Sequence, residues 1–154
     1  MEWANAGNPI IIEKFNPHYS DYPYGMFPLS STYNFNSKKF KGLDGVGKKS
    51  IIGIETPIWT EYITRFEQMS SMCFPRRFAV ADAVWNGNTK KDYKKFAEDA
   101  EFYCNILKNK GYNPAPRCDW YQDLFKRLLS TLKFAYNLMT KEMLKGLIFK
   151  NKDH

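Results

Sequence analysis

Apolar positions in the first half of the chain come in short runs. Ile51, Ile52, Ile54 and Ile58 form a β-branched stretch suited to a buried strand over Ile51–Pro57. Pro57 bars a central strand from continuing. The run Pro9-Ile10-Ile11-Ile12 predicts a second strand over Ile10–Phe15. Residues 2–7 read as the last turn of a helix stopped by Gly7. Between the strands, residues 26–50 hold no period. Asn34, Asn36, Ser37, Gly42, Gly45 and Gly47 break it, and Lys38, Lys39, Lys41, Lys48 and Lys49 keep it solvated. This predicts a long connection interrupted by at most a short helix.

After residue 61 the period becomes helical. Residues 62–73 fit one helix. Pro75 opens a second that runs to about Trp85, with Phe78, Ala79, Ala81, Ala83 and Val84 inward. Asn88 or Thr89 would cap a third over Lys90–Lys110, with Phe96, Ala100, Tyr103, Cys104 and Leu107 on one stripe and Gly111 as its stop. Residues 112–118 read as a Pro-rich linker. Asp119 with Gln122 matches a capping box for a last helix from about Trp120 to Phe149. Its stripe of Tyr121, Phe125, Leu128, Leu132, Ala135, Met139, Met143 and Leu147 is expected to pack on the Lys90–Lys110 helix. Two strands joined by a crossover predict parallel pairing. Two parallel strands cannot make a covered sheet, so the chain reads as part of an α/β domain.

The 154 residues, 44% hydrophobic and 17% aromatic, suffice for one packed domain. No apolar run reaches membrane-spanning length. The start, Met1 to Gly7, lacks the basic and apolar regions of a signal peptide, so the expected location is the cytoplasm unless a leader precedes it. The net charge of +7 is uneven. Residues 1–87 carry nine basic against eight acidic side chains, and residues 88–154 carry fourteen against eight. A solvated helical face accounts for that surplus, and no nucleic-acid-binding signature accompanies it. Cys73, Cys104 and Cys118 lack a C-x-x-C pair and give neither a disulfide framework nor a zinc site. With His18 and His154 the only histidines, no metal site, cofactor or Cys–His mechanism is expected.

Candidate chemistry sits just beyond each strand. Trp59 and Glu61 lie two residues apart after Pro57, and Tyr19 and Asp21 lie two apart after the first strand. An indole face packs on the C–H face of a sugar ring while a carboxylate accepts from its hydroxyls. The same residues also suit a core Trp with Glu61 in a first helical turn, and a turn capped by Asp21.

The order of the motifs adds to this. Tyr19-Ser20-Asp21-Tyr22-Pro23-Tyr24-Gly25 is followed by Pro28-Leu29, Thr32-Tyr33-Asn34-Phe35 and Ile52-Gly53-Ile54-Glu55-Thr56-Pro57-Ile58-Trp59-Thr60-Glu61. Phe74-Pro75-Arg76 and Ala79-Val80-Ala81-Asp82-Ala83-Val84-Trp85 complete the series. Together these resemble the C-terminal part of family-twenty glycoside hydrolases, the β-N-acetylhexosaminidases, over about residues 4–115. The resemblance implies a partial (β/α)8 barrel in residues 1–115, with Ile10–Phe15 and Ile51–Pro57 as its last two strands, and a helical extension in residues 116–154. It implies substrate-assisted hydrolysis of terminal N-acetylhexosamines, without a cofactor. Tyr19 would bond the acetamido oxygen, Asp21 and Glu61 would bind sugar hydroxyls, and Trp59 would wall the pocket.

The chain departs from that family in one large respect. The neighbouring aspartate–glutamate pair that supplies the general acid has no counterpart here, and Glu98-Asp99 stands in reverse order on a basic helix. The sugar-binding arginine near the first strand is also missing. So is the tryptophan many members carry after the seventh strand, where only Phe27, Tyr33 and Phe35 are offered. The expectation is a C-terminal piece of a β-N-acetylhexosaminidase, inactive alone, that forms oligomers or associates with the rest of the barrel. The alternatives are a non-catalytic sugar-binding remnant and a basic helical module for protein or nucleic acid.

Overall fold

The computed structural model describes residues 1–86 and 91–150, with side chains described as far as Lys141. A helical turn, α1 (Glu2–Asn5), precedes β1 (Ile10–Glu13). Next come an irregular turn, α2 (Phe15–His18), and the short helices α3 (Leu29–Tyr33) and α4 (Gly45–Lys49). β2 (Ile51–Glu55) leads through a 3-10 turn at Thr60–Tyr62 into α5 (Phe66–Cys73) and α6 (Arg76–Trp85). α7 (Tyr93–Asn109), α8 (Arg117–Trp120) and the long α9 (Leu124–Lys150) complete the chain. Among the described residues no helix is long and apolar enough to cross a membrane.

The two strands pair in parallel, as the crossover pattern predicts, with Ile11 beside Gly53, Ile12 beside Ile54 and Glu13 beside Glu55. Both stop short of the expected ends, before Pro57 and before the irregular turn at Phe15. The long connection holds two short α-helices and, between them, a 3-10 turn at Ser37–Lys39. Asp44 stops the chain from running straight through it by accepting from the amides of Val46 and Gly47, both at 2.8 Å. The strands are covered unequally: Ile12 is buried, whereas Ile11 is 58% and Ile52 69% exposed. A parallel sheet is normally buried on both faces, so this one presents apolar surface and two unpaired edges.

The core lies beside the sheet. Tyr24 and Leu29, with Tyr33 of α3, pack on Ala79 of α6, on Phe96, Ala97, Ala100 and Cys104 of α7, and on Trp120. The Tyr33 hydroxyl donates to the Asp92 carbonyl at 3.2 Å and accepts from the Asp92 amide at 3.1 Å, which ties α7 to α3. Asp92 caps α7 by accepting from the Lys95 amide. The expected caps Asn88 and Thr89 fall within the stretch 87–90, outside the described residues. Of the expected inward positions on α6 and α7, Ala81, Val84 and Tyr103 face solvent.

The greatest difference from expectation concerns the last helix. It begins at Leu124, where the Asp123 carboxylate accepts from the Lys126 amide at 2.8 Å. Asp119 instead belongs to α8, which Pro116 opens. The chain turns there because the buried Trp120 indole donates back to the Ala115 carbonyl at 3.1 Å. The expected stripe is exposed at Tyr121, Phe125, Leu128, Leu132, Ala135 and Met139, while the side chains of Met143 and Leu147 lie outside those described. The packed face is Arg127, Ser130, Thr131, Phe134 and Leu138. It meets the Tyr22–Gly25 loop and Tyr62 rather than α7.

Candidate functional site

The loops leaving the two strands are joined by their backbones. The Ser20 amide donates to the Pro57 carbonyl at 2.9 Å, so the residues after β1 and those after β2 share one corner. Phe15 holds the first loop from the side, its ring edge-on to Tyr19, Tyr22 and Phe27 at centroid distances of 5.0–5.2 Å.

Two consecutive arginines at the start of α6 fix both loops. Arg76 is 1% exposed. It donates to the Ser20 carbonyl at 2.7 Å and to the Phe27 carbonyl at 3.1 Å, with its guanidinium 3.9 Å from the Tyr24 ring centroid. The Tyr24 hydroxyl in turn lies 3.1 Å from the Ser71 carbonyl and 3.2 Å from that of Phe74. Arg77 donates to the Thr56 carbonyl just before Pro57. A planar fork with several donors is the side chain able to satisfy separated carbonyls in this way.

All four predicted site residues converge here. The Tyr19 hydroxyl faces the Glu13 carboxylate at the end of β1, whose hydrogen bond is the largest influence raising the phenol above its ordinary pKa. Burial and the Glu13 charge add to it, and the Trp59 indole N–H acts on the same oxygen in the opposite sense. Trp59 itself is 54% exposed, which leaves indole surface open. This excludes the core-Trp reading of that position. Asp21 is 3% exposed, and its Oδ1 has no hydrogen-bond partner among the described residues. Burial pushes its carboxyl up, the Arg76 charge opposes that rise, and the Glu61 carboxylate reinforces it. Tyr22 is raised by burial and by the charges of both Asp21 and Glu61.

The corner therefore combines an open indole, an anchored phenol and several carboxylates, with Glu13 and Glu55 side by side in register. Among the described residues no three His, Cys, Asp or Glu side chains converge as a metal-binding set. The arrangement suits a neutral, hydroxyl-rich ring: aromatic surface for its apolar face and acceptors for its hydroxyls. Sequence reasoning missed Glu13, Arg76 and Arg77 as contributors. The one available signal was Arg76 within the Phe74-Pro75-Arg76 motif.

Comparison with known proteins shows the fold and the family. The chain is 26% identical over 132 residues to a β-N-acetylhexosaminidase of Cellulomonas fimi, covering 76% of this chain and 26% of that protein. It is 36% identical over 73 residues to β-hexosaminidase 1 of Coccidioides posadasii, covering 47% of this chain and 11% of that one. Against the exo-β-N-acetylglucosaminidase of Vibrio harveyi crystallised with N-acetylglucosamine, the TM-score is 0.64 at 23% identity. That match covers 75% of this chain and 20% of the other. The inactive D437A form of the same enzyme gives 0.62 at 24% identity. The chain thus spans about a quarter or less of these relatives. The model of the glycosyl hydrolase family 20 catalytic domain matches residues 1–88, which hold both strands and all four residues of the corner, and the chain belongs to that family.

Proposed function

We propose that the chain forms the carboxyl-terminal part of a β-N-acetylhexosaminidase barrel and carries one side of its sugar pocket. β1 and β2 are its last two strands, and the pocket lies at their carboxyl ends. In this reading Trp59 packs on the ring, Asp21 and Glu61 accept from hydroxyls, and the Tyr19 phenol donates to the acetamido oxygen. That oxygen attacks the anomeric carbon as the glycosidic bond breaks, and an acid protonates the departing oxygen. A phenol has one proton to donate, so in this reading the Tyr19 hydroxyl turns from the Glu13 carboxylate to the acetamido oxygen when the sugar binds. The observation that carries this reading is the meeting of Tyr19, Asp21, Trp59 and Glu61 across the Ser20–Pro57 backbone bond.

Nothing in the corner supplies the acid. Burial raises the Asp21 carboxyl, yet in this assignment it faces hydroxyls away from the scissile bond. The purified chain is therefore expected not to release the chromophore from an aryl N-acetylglucosaminide, because a positioned acid contributes roughly a hundredfold to ten-thousandfold. The amino-terminal barrel portion of a family-20 enzyme, added in trans, should restore turnover if the open edges pair. That turnover should then fall sharply for Trp59→Ala and Glu61→Ala, and little for Lys133→Ala. Turnover by the chain alone, abolished by Glu61→Gln, would place the acid within this chain and overturn the assignment.

A further inference from the structure

The family match ends at residue 88, yet α9 lies against the corner just described. Its Phe134 ring sits 5.3 Å from that of Tyr22 and 5.3 Å from that of Tyr62. Lys141 Nζ lies 5.7 Å from the Tyr62 ring centroid. The helix is held close by a hydrogen bond from Arg127 Nε to the Gly25 carbonyl at 3.1 Å. Gly25 permits that approach, since a Cβ there would stand 2.7 Å from the Ser130 Cβ.

Between α9, α5 and the first loop remains a cavity of about 370 Å³, lined in part by Asp21, Gln68, Phe134, Asn137, Thr140 and Lys141. That volume lies in the range of small-ligand pockets. Asp21 is its most buried ionisable group, and the Oδ1 of this lining residue has no hydrogen-bond partner among the described residues. A buried acceptor without a donor is costly, and a ligand hydroxyl is the group that would satisfy it.

We propose that α9 is the outer wall of the sugar site. The hydroxyl edge of the hexosamine enters this cavity and donates to Asp21. Phe134 bounds it on the apolar side, and the Asn137 amide bonds a neighbouring hydroxyl. The helix beyond the family's catalytic-domain match thereby sets how much can be attached to that edge. A hexosamine free at its hydroxyls fits, and one carrying a bulky substituent there meets Phe134. This inference rests on the carbohydrate reading above.

Binding of N-acetylglucosamine to the full chain tests it, followed by saturation-transfer NMR on the acetamido methyl group. The expected result is a dissociation constant raised about tenfold by Phe134→Leu and about threefold by Asn137→Ala, the scale of one lost packing contact or one hydrogen bond. Leu132→Ala, on the exposed face of the same helix, should leave it unchanged. Asn137 is exposed, so its variant keeps the fold and the test stands even if Phe134→Leu does not fold. If the unmodified chain binds and Trp59→Ala does not, while both α9 variants bind as tightly as the parent, the wall is refuted and the carbohydrate reading survives. Absence of saturable binding by the parent chain refutes both.

Discussion

Arg76 ties the loop after β1 to the start of α6. It is buried, it holds two loop carbonyls, and the charge facing it belongs to Asp21. Arg76→Met would leave the Ser20 and Phe27 carbonyls unpaired in a low-dielectric setting. It should cost about 3 kcal/mol or more in urea unfolding, and Arg76→Lys should not restore that loss because one ammonium cannot span both acceptors. His18 gives a second residue-scale expectation. Its imidazole is buried edge-on to Phe35, and burial, with the Lys14 charge adding, lowers its pKa from 6.5 to about 4. The neutral form is thus favoured in the fold. The stability it contributes is complete above 6.5 and is lost as pH falls through about 4, amounting to about 3 kcal/mol. Asp21 acts with the opposite sign. Its raised carboxyl contributes stability at low pH that fades as pH climbs through the folded value. Melts of His18→Gln between pH 4 and 7 should show a flatter acid limb than the parent. An unchanged limb would mean that His18 is protonated within the fold.

At the scale of elements, the α9 helix separates what the sequence discloses from what it does not. Its existence, length and period were legible from Leu124 onward. Its packed face was not, because apolar residues recur on two faces and helical spacing cannot choose between them. The bulky stripe through Leu128 and Leu132 reads as the stronger one. The structure instead buries a face of small and polar residues around Phe134, where Gly25 and Ser130 allow close approach. Likewise Tyr19, Asp21, Trp59 and Glu61 were found because each pair follows a strand end. Arg76 and Arg77 were missed because their partners are loop carbonyls remote in sequence, and Glu13 because an irregular turn brings the Tyr19 hydroxyl back to it. Leu132 is 57% exposed, so Leu132→Asp should change stability by only about 0.5 kcal/mol. Phe134→Ala should cost about 2 kcal/mol by loss of its contacts with Tyr22 and Tyr62. The reverse order of the two effects in thermal melts would mean that the helix packs by its other face.

On the scale of the whole molecule, the described residues hold one two-stranded parallel sheet. Its outer edges pair with no other strand among the described residues, and Ile11, Ile52 and the outer face of α9 add exposed apolar surface. Light scattering is expected to show species larger than one chain, dispersed when the complementary barrel portion is supplied. A compact monomer with one cooperative melt would argue that the sheet needs no further strands. The core of α3, α6, α7 and Trp120 lies apart from those edges and positions α6, whose two leading arginines hold both loops. The central claim is that these loops form one sugar site. A proton–nitrogen correlation spectrum of the labelled chain titrated with N-acetylglucosamine addresses it directly. The Trp59 indole N–H and the amides of Tyr19, Asp21 and Glu61 should shift together along one binding curve, while the indole of Trp85 stays in place. Shifts confined to one loop, or none that saturate, would contradict it.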